Sequence, residues 1–126
     1  MEKKLKKIII GSGSFLGKNI YEHFEKKTVS IESVSFRPES REDFRKKLSK
    51  ILSSNKIETI YICGADLNYT DTHNVLFDLI TSNIYLPSLI CSLVKYISPD
   101  TNLIFFGSYW QFDAKNEKNP KNLYAA

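Results

Sequence analysis

Ser108 and Tyr124 lie sixteen positions apart, the first just after the apolar run Leu103 to Phe106 and the second within Asn119-Pro120-Lys121-Asn122-Leu123-Tyr124-Ala125-Ala126. A serine hydroxyl can hydrogen-bond a reacting carbonyl or alcohol oxygen while a phenol gives or takes its proton. An unperturbed tyrosine has a pKa of about 10, so the phenol needs a nearby cation to work near neutrality. Read from the residues alone, the pair has a plain alternative. A serine at a strand end caps, and a terminal tyrosine decorates the surface.

A second constellation stands at the other end of the chain. Lys6-Lys7-Ile8-Ile9-Ile10 runs directly into Gly11-Ser12-Gly13-Ser14-Phe15-Leu16-Gly17. The apolar run reads as a buried strand, and Leu16, Ile20 and Phe24 recur four apart, as on one face of a helix. Strand, glycine turn and helix form the unit that holds a dinucleotide pyrophosphate. Gly11 turns the chain tightly, Gly13 lets bare backbone approach phosphates, and the helix N-terminus offers free N–H groups and partial positive charge.

Both constellations need a scaffold, and the remaining pattern supplies one. Strand one covers about Lys6 to Ile10, and helix one runs from Ser14 to Lys26. A second strand falls within Val29 to Phe36, ended by Pro38. Ser40-Arg41-Glu42-Asp43 reads as a capped helix start. Phe44, Leu48, Ile51 and Leu52 give that helix its apolar stripe, and Asn55 favours its stop. Thr59 to Cys63 is a third strand, β-branched and aromatic. Asp66 to Thr72 is a polar loop, its aspartates serving as loop and cap residues. A long helical pattern then carries Leu76, Leu79, Ile80, Asn83, Leu86, Ile90, Leu93, Val94 and Ile97, kinked or restarted at Pro87 and ended by Pro99-Asp100. Leu103 to Phe106, apolar throughout, predicts a fourth strand covered on both faces. Strands alternating with helices predict parallel βαβ units with right-handed crossovers and a ligand at the carboxyl ends of the strands.

Composition narrows the class. The chain has 126 residues, 42% hydrophobic and 25% charged, which suits one globular domain over residues 1–126. The net charge is +4, from 18 basic and 14 acidic residues. Four lysines fall in the first seven positions, so the balance elsewhere is near zero and no nucleic-acid partner is inferred. No stretch approaches a membrane span, and the apolar run before Gly11 is too short for a secretory signal. Cys63 and Cys91 form no paired motif and read as two buried free thiols in a reducing cytosol, with Cys63 as core filler and not a nucleophile. His23 and His73 are isolated, so no metal site is expected.

The chain resembles the N-terminal part of an extended short-chain dehydrogenase/reductase, the NAD-dependent epimerase/dehydratase family. Gly11 and Gly17 match the first and third glycines of the family's GxxGxxG loop, with Phe15-Leu16 in the aromatic-aliphatic place. Ser14 replaces the middle glycine, while Gly13 sits one residue earlier. Ile62-Cys63-Gly64-Ala65 stands where the family's third-strand end borders the cofactor, and Asn83 matches a helix asparagine. Ser108 matches the catalytic Ser/Thr, and Pro120 to Ala126 resembles the start of the Pro-x-x-x-Tyr-x-x-x-Lys segment. Gly107-Ser108-Tyr109-Trp110-Gln111 with Asn122-Leu123-Tyr124-Ala125-Ala126 is most similar to nucleotide-sugar reductases of the CDP-abequose-synthase kind.

The resemblance implies a Rossmann-type, doubly wound parallel α/β sheet, truncated before the catalytic lysine and the substrate-binding portion. It implies NAD or NADP on Gly11, Gly13, Ser14, Phe15, Leu16, Gly17, Cys63, Gly64, Ala65 and Asn83. Arg37 follows strand two, where an acid would suit NAD. An arginine there suits a 2′-phosphate and tilts the choice to NADP, unless it is simply a solvated loop residue. Ser108 and Tyr124 would be catalytic. Trp110 and Gln111 would face a nucleotide-linked sugar, or Trp110 would cover core. The implied parent is a cytoplasmic oxidoreductase or epimerase of surface-polysaccharide sugar synthesis, with room for a homodimer. The chain by itself is expected to be inactive, since the family lysine would fall past Ala126. The alternatives are a non-catalytic dinucleotide-binding module and a redox sensor of the same fold.

Overall fold

The structure is a computed structural model that describes residues 5–63, 77 and 80–106. Four strands form one sheet: β1 (Leu5–Ile10), β2 (Ile31–Val34), β3 (Lys56–Ile62) and β4 (Asn102–Phe105). Every pairing is parallel and the spatial order is β2-β1-β3-β4. Helix α1 (Phe15–Lys26) links β1 to β2, α2 (Arg41–Ser54) links β2 to β3, and α3 (Leu86–Ile97) precedes β4. The chain leaves β1 for one side of the sheet and returns past it to β3 on the other. Right-handed crossovers in opposite directions put their helices on opposite faces.

Burial confirms the two-sided arrangement. Ile8, Ile10, Val34, Ile57, Ile60 and Ile62 project from the sheet into one cluster with Phe44, Leu48, Ile51 and Leu52 of α2 and Leu86, Ile90 and Val94 of α3. Strand side chains alternate between faces, so Ile9, fully buried, belongs to the α1 side. Tyr61, its register partner, lies there too, tilted against Phe24 of α1 at 5.6 Å between ring centroids. The sheet is therefore doubly wound, as the sequence predicts.

Three local outcomes differ from the sequence reading. First, β3 starts at Lys56, three residues earlier than predicted, and shifts register between Lys6 and Lys7. Glu58 falls out of the pairing and turns its carboxylate to Lys7 Nζ at 3.0 Å. Lys7 is buried, its ammonium 5.0 Å from the Phe24 ring centroid. Second, Ser40 sits at the N-cap position of α2 but makes no side-chain capping bond. A 3₁₀ turn, Pro38–Ser40, leads into the helix instead, and Arg41 Nη1 donates to Pro38 O at 3.1 Å. Third, β4 is not covered on both faces: Ile104, Phe105 and Phe106 are exposed, because β4 is the outer strand of the described sheet.

The proline break has a specific form. Thr81–Tyr85 is a π turn running into α3, and Leu86 N donates back five residues to Thr81 O. Pro87 has no N–H to give its i−4 carbonyl, that of Asn83, so an ordinary helical ladder cannot run through this point. Asn55 ends α2 as expected, its backbone and side-chain nitrogens both donating to Ile51 O.

Candidate functional site

The loop after β1 is shaped by its own glycines and serine. Gly11 has φ 88°, a left-handed conformation that glycine adopts without steric cost. That turn brings Ser14 back, so that its N and its Oγ donate to Gly11 O at 3.1 and 2.8 Å. Ser14 Oγ also accepts from Gly17 N at 3.1 Å and caps α1. Ser14 thus locks the loop to the helix start.

The three glycines do different jobs. A Cβ on Gly17 would sit 2.1 Å from Gly11 O, so only glycine permits this approach of helix to loop. A Cβ on Gly13 would meet nothing within 4 Å. Gly13 therefore presents bare backbone to an open space at the N-terminus of α1, the arrangement that accepts an anion. Phe15 at the first helical position is 88% exposed, unlike the half-exposed Leu16 after it.

Topology brings the other cofactor candidates to the same end. Cys63 N donates to Ile10 O at 2.8 Å, extending the β1–β3 ladder one residue past β3. The strand order reverses between β1 and β3, and in open α/β sheets ligands bind at such a switch point, outside the carboxyl ends. Arg37 lies three residues beyond β2, exposed, at the same end. Asn83 lies in the π turn that enters α3, also at that end because α3 precedes a parallel strand. Gly64, Ala65, Ser108, Trp110, Gln111 and Tyr124 lie outside the described residues.

The cysteines need correcting. Both are free, but Cys91 is exposed on α3 and Cys63 is only partly buried. Burial pushes the Cys63 thiol up from its ordinary value, disfavouring the thiolate. Among the described residues no group of three or more His, Cys, Asp or Glu side chains could hold a metal ion. Nor is any described helix long and apolar enough to cross a membrane.

One contact escaped the sequence reading. Ser12 Oγ of the loop and Ser33 Oγ of β2 are 2.5 Å apart. Neither residue stands out in the sequence; only the strand register, with Ser33 beside Ile9, makes them neighbours.

No family model matches the chain, and no curated protein matches it. Solved structures do. A dTDP-4-dehydrorhamnose reductase from Clostridium acetobutylicum superposes with TM-score 0.74 at 15% identity, over 95% of this chain and 45% of that one. The fold is Rossmann-type. A UDP-rhamnose synthase from Acanthamoeba polyphaga mimivirus gives TM-score 0.68 at 14% identity, over 88% of this chain and 39% of the other. A short-chain dehydrogenase/reductase superfamily protein from Agrobacterium tumefaciens, with bound NAD, gives 0.63 at 10%, over 97% and 41%. The chain spans less than half the length of each of these structures. Identities this low establish the shared Rossmann-type fold, the one the sequence resemblance implies.

Proposed function

We propose that this chain is the NAD(P)-binding part of a nucleotide-sugar oxidoreductase or epimerase. The observation that carries the reading is the open space over Gly13. It lies between a left-handed Gly11 and the Ser14-capped start of α1, at the end of the sheet where the strand order reverses. A pyrophosphate fits that space by chemistry: backbone N–H groups and a helix N-terminus favour a dianion, and among the described residues no atom lies within 4 Å of where a Gly13 Cβ would stand. Two fold neighbours are described as a dTDP-4-dehydrorhamnose reductase and a UDP-rhamnose synthase, and a third holds NAD. They support a nicotinamide cofactor and a nucleotide-linked sugar as the partner.

A bound nicotinamide supplies hydride chemistry. This chain's own residues hold and orient. Gly11 to Gly17 seat the pyrophosphate, Cys63 and Asn83 border the cofactor, and the Arg37 guanidinium favours NADP. Ser108 orients the sugar oxygen and Tyr124 moves its proton, once a cation lowers the phenol pKa. Trp110 and Gln111 contact the nucleotide sugar. The parent reaction then serves surface-polysaccharide synthesis in the cytoplasm.

Calorimetric titration with NADP and NAD tests the reading. Gly13→Val places a branched side chain in the open space and should abolish binding of both dinucleotides while leaving the far-UV circular dichroism spectrum unchanged. Unaltered affinity in a folded variant removes the loop from the site.

A further inference from the structure

The amino end of the sheet, opposite the glycine loop, carries a groove of about 490 Å³. One wall is the junction of α2 with β3, and the other is the turn from α3 into β4. The floor is apolar: Leu52 and Ile57 are buried, and Ile97 packs on the same core. Both walls are held by hydrogen bonds. Asn55 N and Nδ2 donate to Ile51 O. Thr101 N donates to Ser98 O at 3.0 Å and Thr101 Oγ1 to Ile57 O at 2.7 Å, which pins the turn to β3. Pro99 and Asp100 form the exposed tip of that turn. Three charged side chains line the groove, and Glu58 is taken by Lys7 Nζ at 3.0 Å. That leaves one cation and one anion, Lys56 on one wall and Asp100 on the other. Both are exposed, and neither has a hydrogen-bond or ion-pair partner among the described residues.

Tip and groove match in chemistry. The tip is an apolar ring followed by an acid; the groove is an apolar floor with a lysine at its rim. A tip cannot enter the groove whose wall it forms, but the tip of a second copy can. Each copy carries both parts, so the contact is reciprocal and closes on a two-fold axis. We infer that this groove is the contact between two copies of the chain, each seating its Pro99–Asp100 tip in the other's groove. Lys56 of each copy then meets the partner subunit's Asp100. The same contact covers Leu5, which lines the groove and is otherwise half exposed. Ion pairs at such an exposed rim set the register of the two copies more than their affinity. The contact lies at the far end of the sheet from Gly13, so the space over each glycine loop stays open in the pair. The inference stands independently of the dinucleotide reading.

The test is sedimentation equilibrium on the full 126-residue chain. Wild type should approach twice its 14.5 kDa mass as concentration rises. Lys56→Asp and Asp100→Lys each set like charges against one another twice across the axis. Each should weaken self-association by roughly tenfold or more while leaving the far-UV circular dichroism spectrum unchanged. The double variant, with the two charges exchanged, should recover it. An equimolar mixture of the two single variants should associate as well, because each then offers the charge that the other lacks; a one-sided contact would not restore both pairs. Hydrogen exchange on wild type needs no variant: the Lys56 and Asp100 amides should exchange more slowly as concentration rises. A wild-type chain that stays monomeric at millimolar concentration overturns the inference. So does a dimer that both charge reversals leave intact, since its contact then lies elsewhere.

Discussion

β1 and β4 each end in an apolar run, and the two runs differ sharply in exposure. Ile8 and Ile9 of β1 are 0% exposed, whereas Phe105 and Phe106 are each 44% exposed. β1 lies between β2 and β3, with α2 and α3 over one face and α1 over the other. Among the described residues, β4 has a neighbour on one side only. An apolar run therefore reports that a strand can be buried on both faces; its place in the sheet order decides whether it is. The two outer strands of the described sheet also differ in charge. β2 carries Glu32, tied to Lys6. The stretch Thr101 to Phe112 contains no charge and no proline, the devices that keep a strand edge from pairing.

The comparison can be broken first at its buried end. Ile8→Ala removes a side chain from the centre of the α2–α3 cluster and should cost about 2–5 kcal/mol in urea unfolding. A loss under 1 kcal/mol, on the order of a surface change, would mean that β1 is not the core strand described here. Gly17→Ala comes next, because the new Cβ would collide with Gly11 O, a backbone atom with nowhere to yield. The expected cost is about 1–3 kcal/mol, with the glycine loop displaced in amide chemical shifts.

A smaller effect tests the bulge. Glu58→Gln leaves the buried Lys7 ammonium with the Phe24 and Tyr61 rings as its remaining company. Because the Glu58 side chain is 41% exposed, solvent screens the pair, and the loss should be about 0.5–1 kcal/mol. It should shrink further at high salt. Least of all should come from Phe105→Ser. An exposed edge residue should change stability by about 0.5 kcal/mol or less while raising solubility, measured as the concentration at which light scattering begins. A loss as large as that of Ile8→Ala would place Phe105 under cover and erase the contrast between the strands.

Much of this was legible from residue types. Ile8-Ile9-Ile10 before Gly11 marked a buried strand and the turn after it. The spacing of Phe44, Leu48, Ile51 and Leu52 marked the buried face of α2, all four being in the core cluster. Pro87 announced an irregular helix entry, and the π turn is its form. What was not legible depends on register or on place in the sheet. The bulge at Glu58 requires knowing which β1 residue each β3 residue faces. The Ser12–Ser33 contact requires the β1–β2 register. Ser40 has the residue type of a cap, but Pro38 starts a 3₁₀ turn that delivers it in another conformation. The exposure of Cys91 follows from which side of α3 it occupies, and an apolar neighbourhood in sequence does not report that.

The sheet order has a consequence for how the chain acquires its structure. β1 pairs with β2 after one helix, but its other neighbour, β3, joins it from about 50 residues away, Leu5 opposite Lys56. A chain growing from its N-terminus can close β1–α1–β2 early. The second flank of β1 and the surface that α2 will cover then wait until β3 is made. Closing the longer loop adds little to the entropy cost but slows the encounter. During synthesis the three isoleucines, dry in the finished sheet, stay open to sticking until Ile60, Tyr61 and Ile62 pair with them, and Ile8 and Ile10 gain the last of their cover only when Leu86, Ile90 and Val94 of α3 follow.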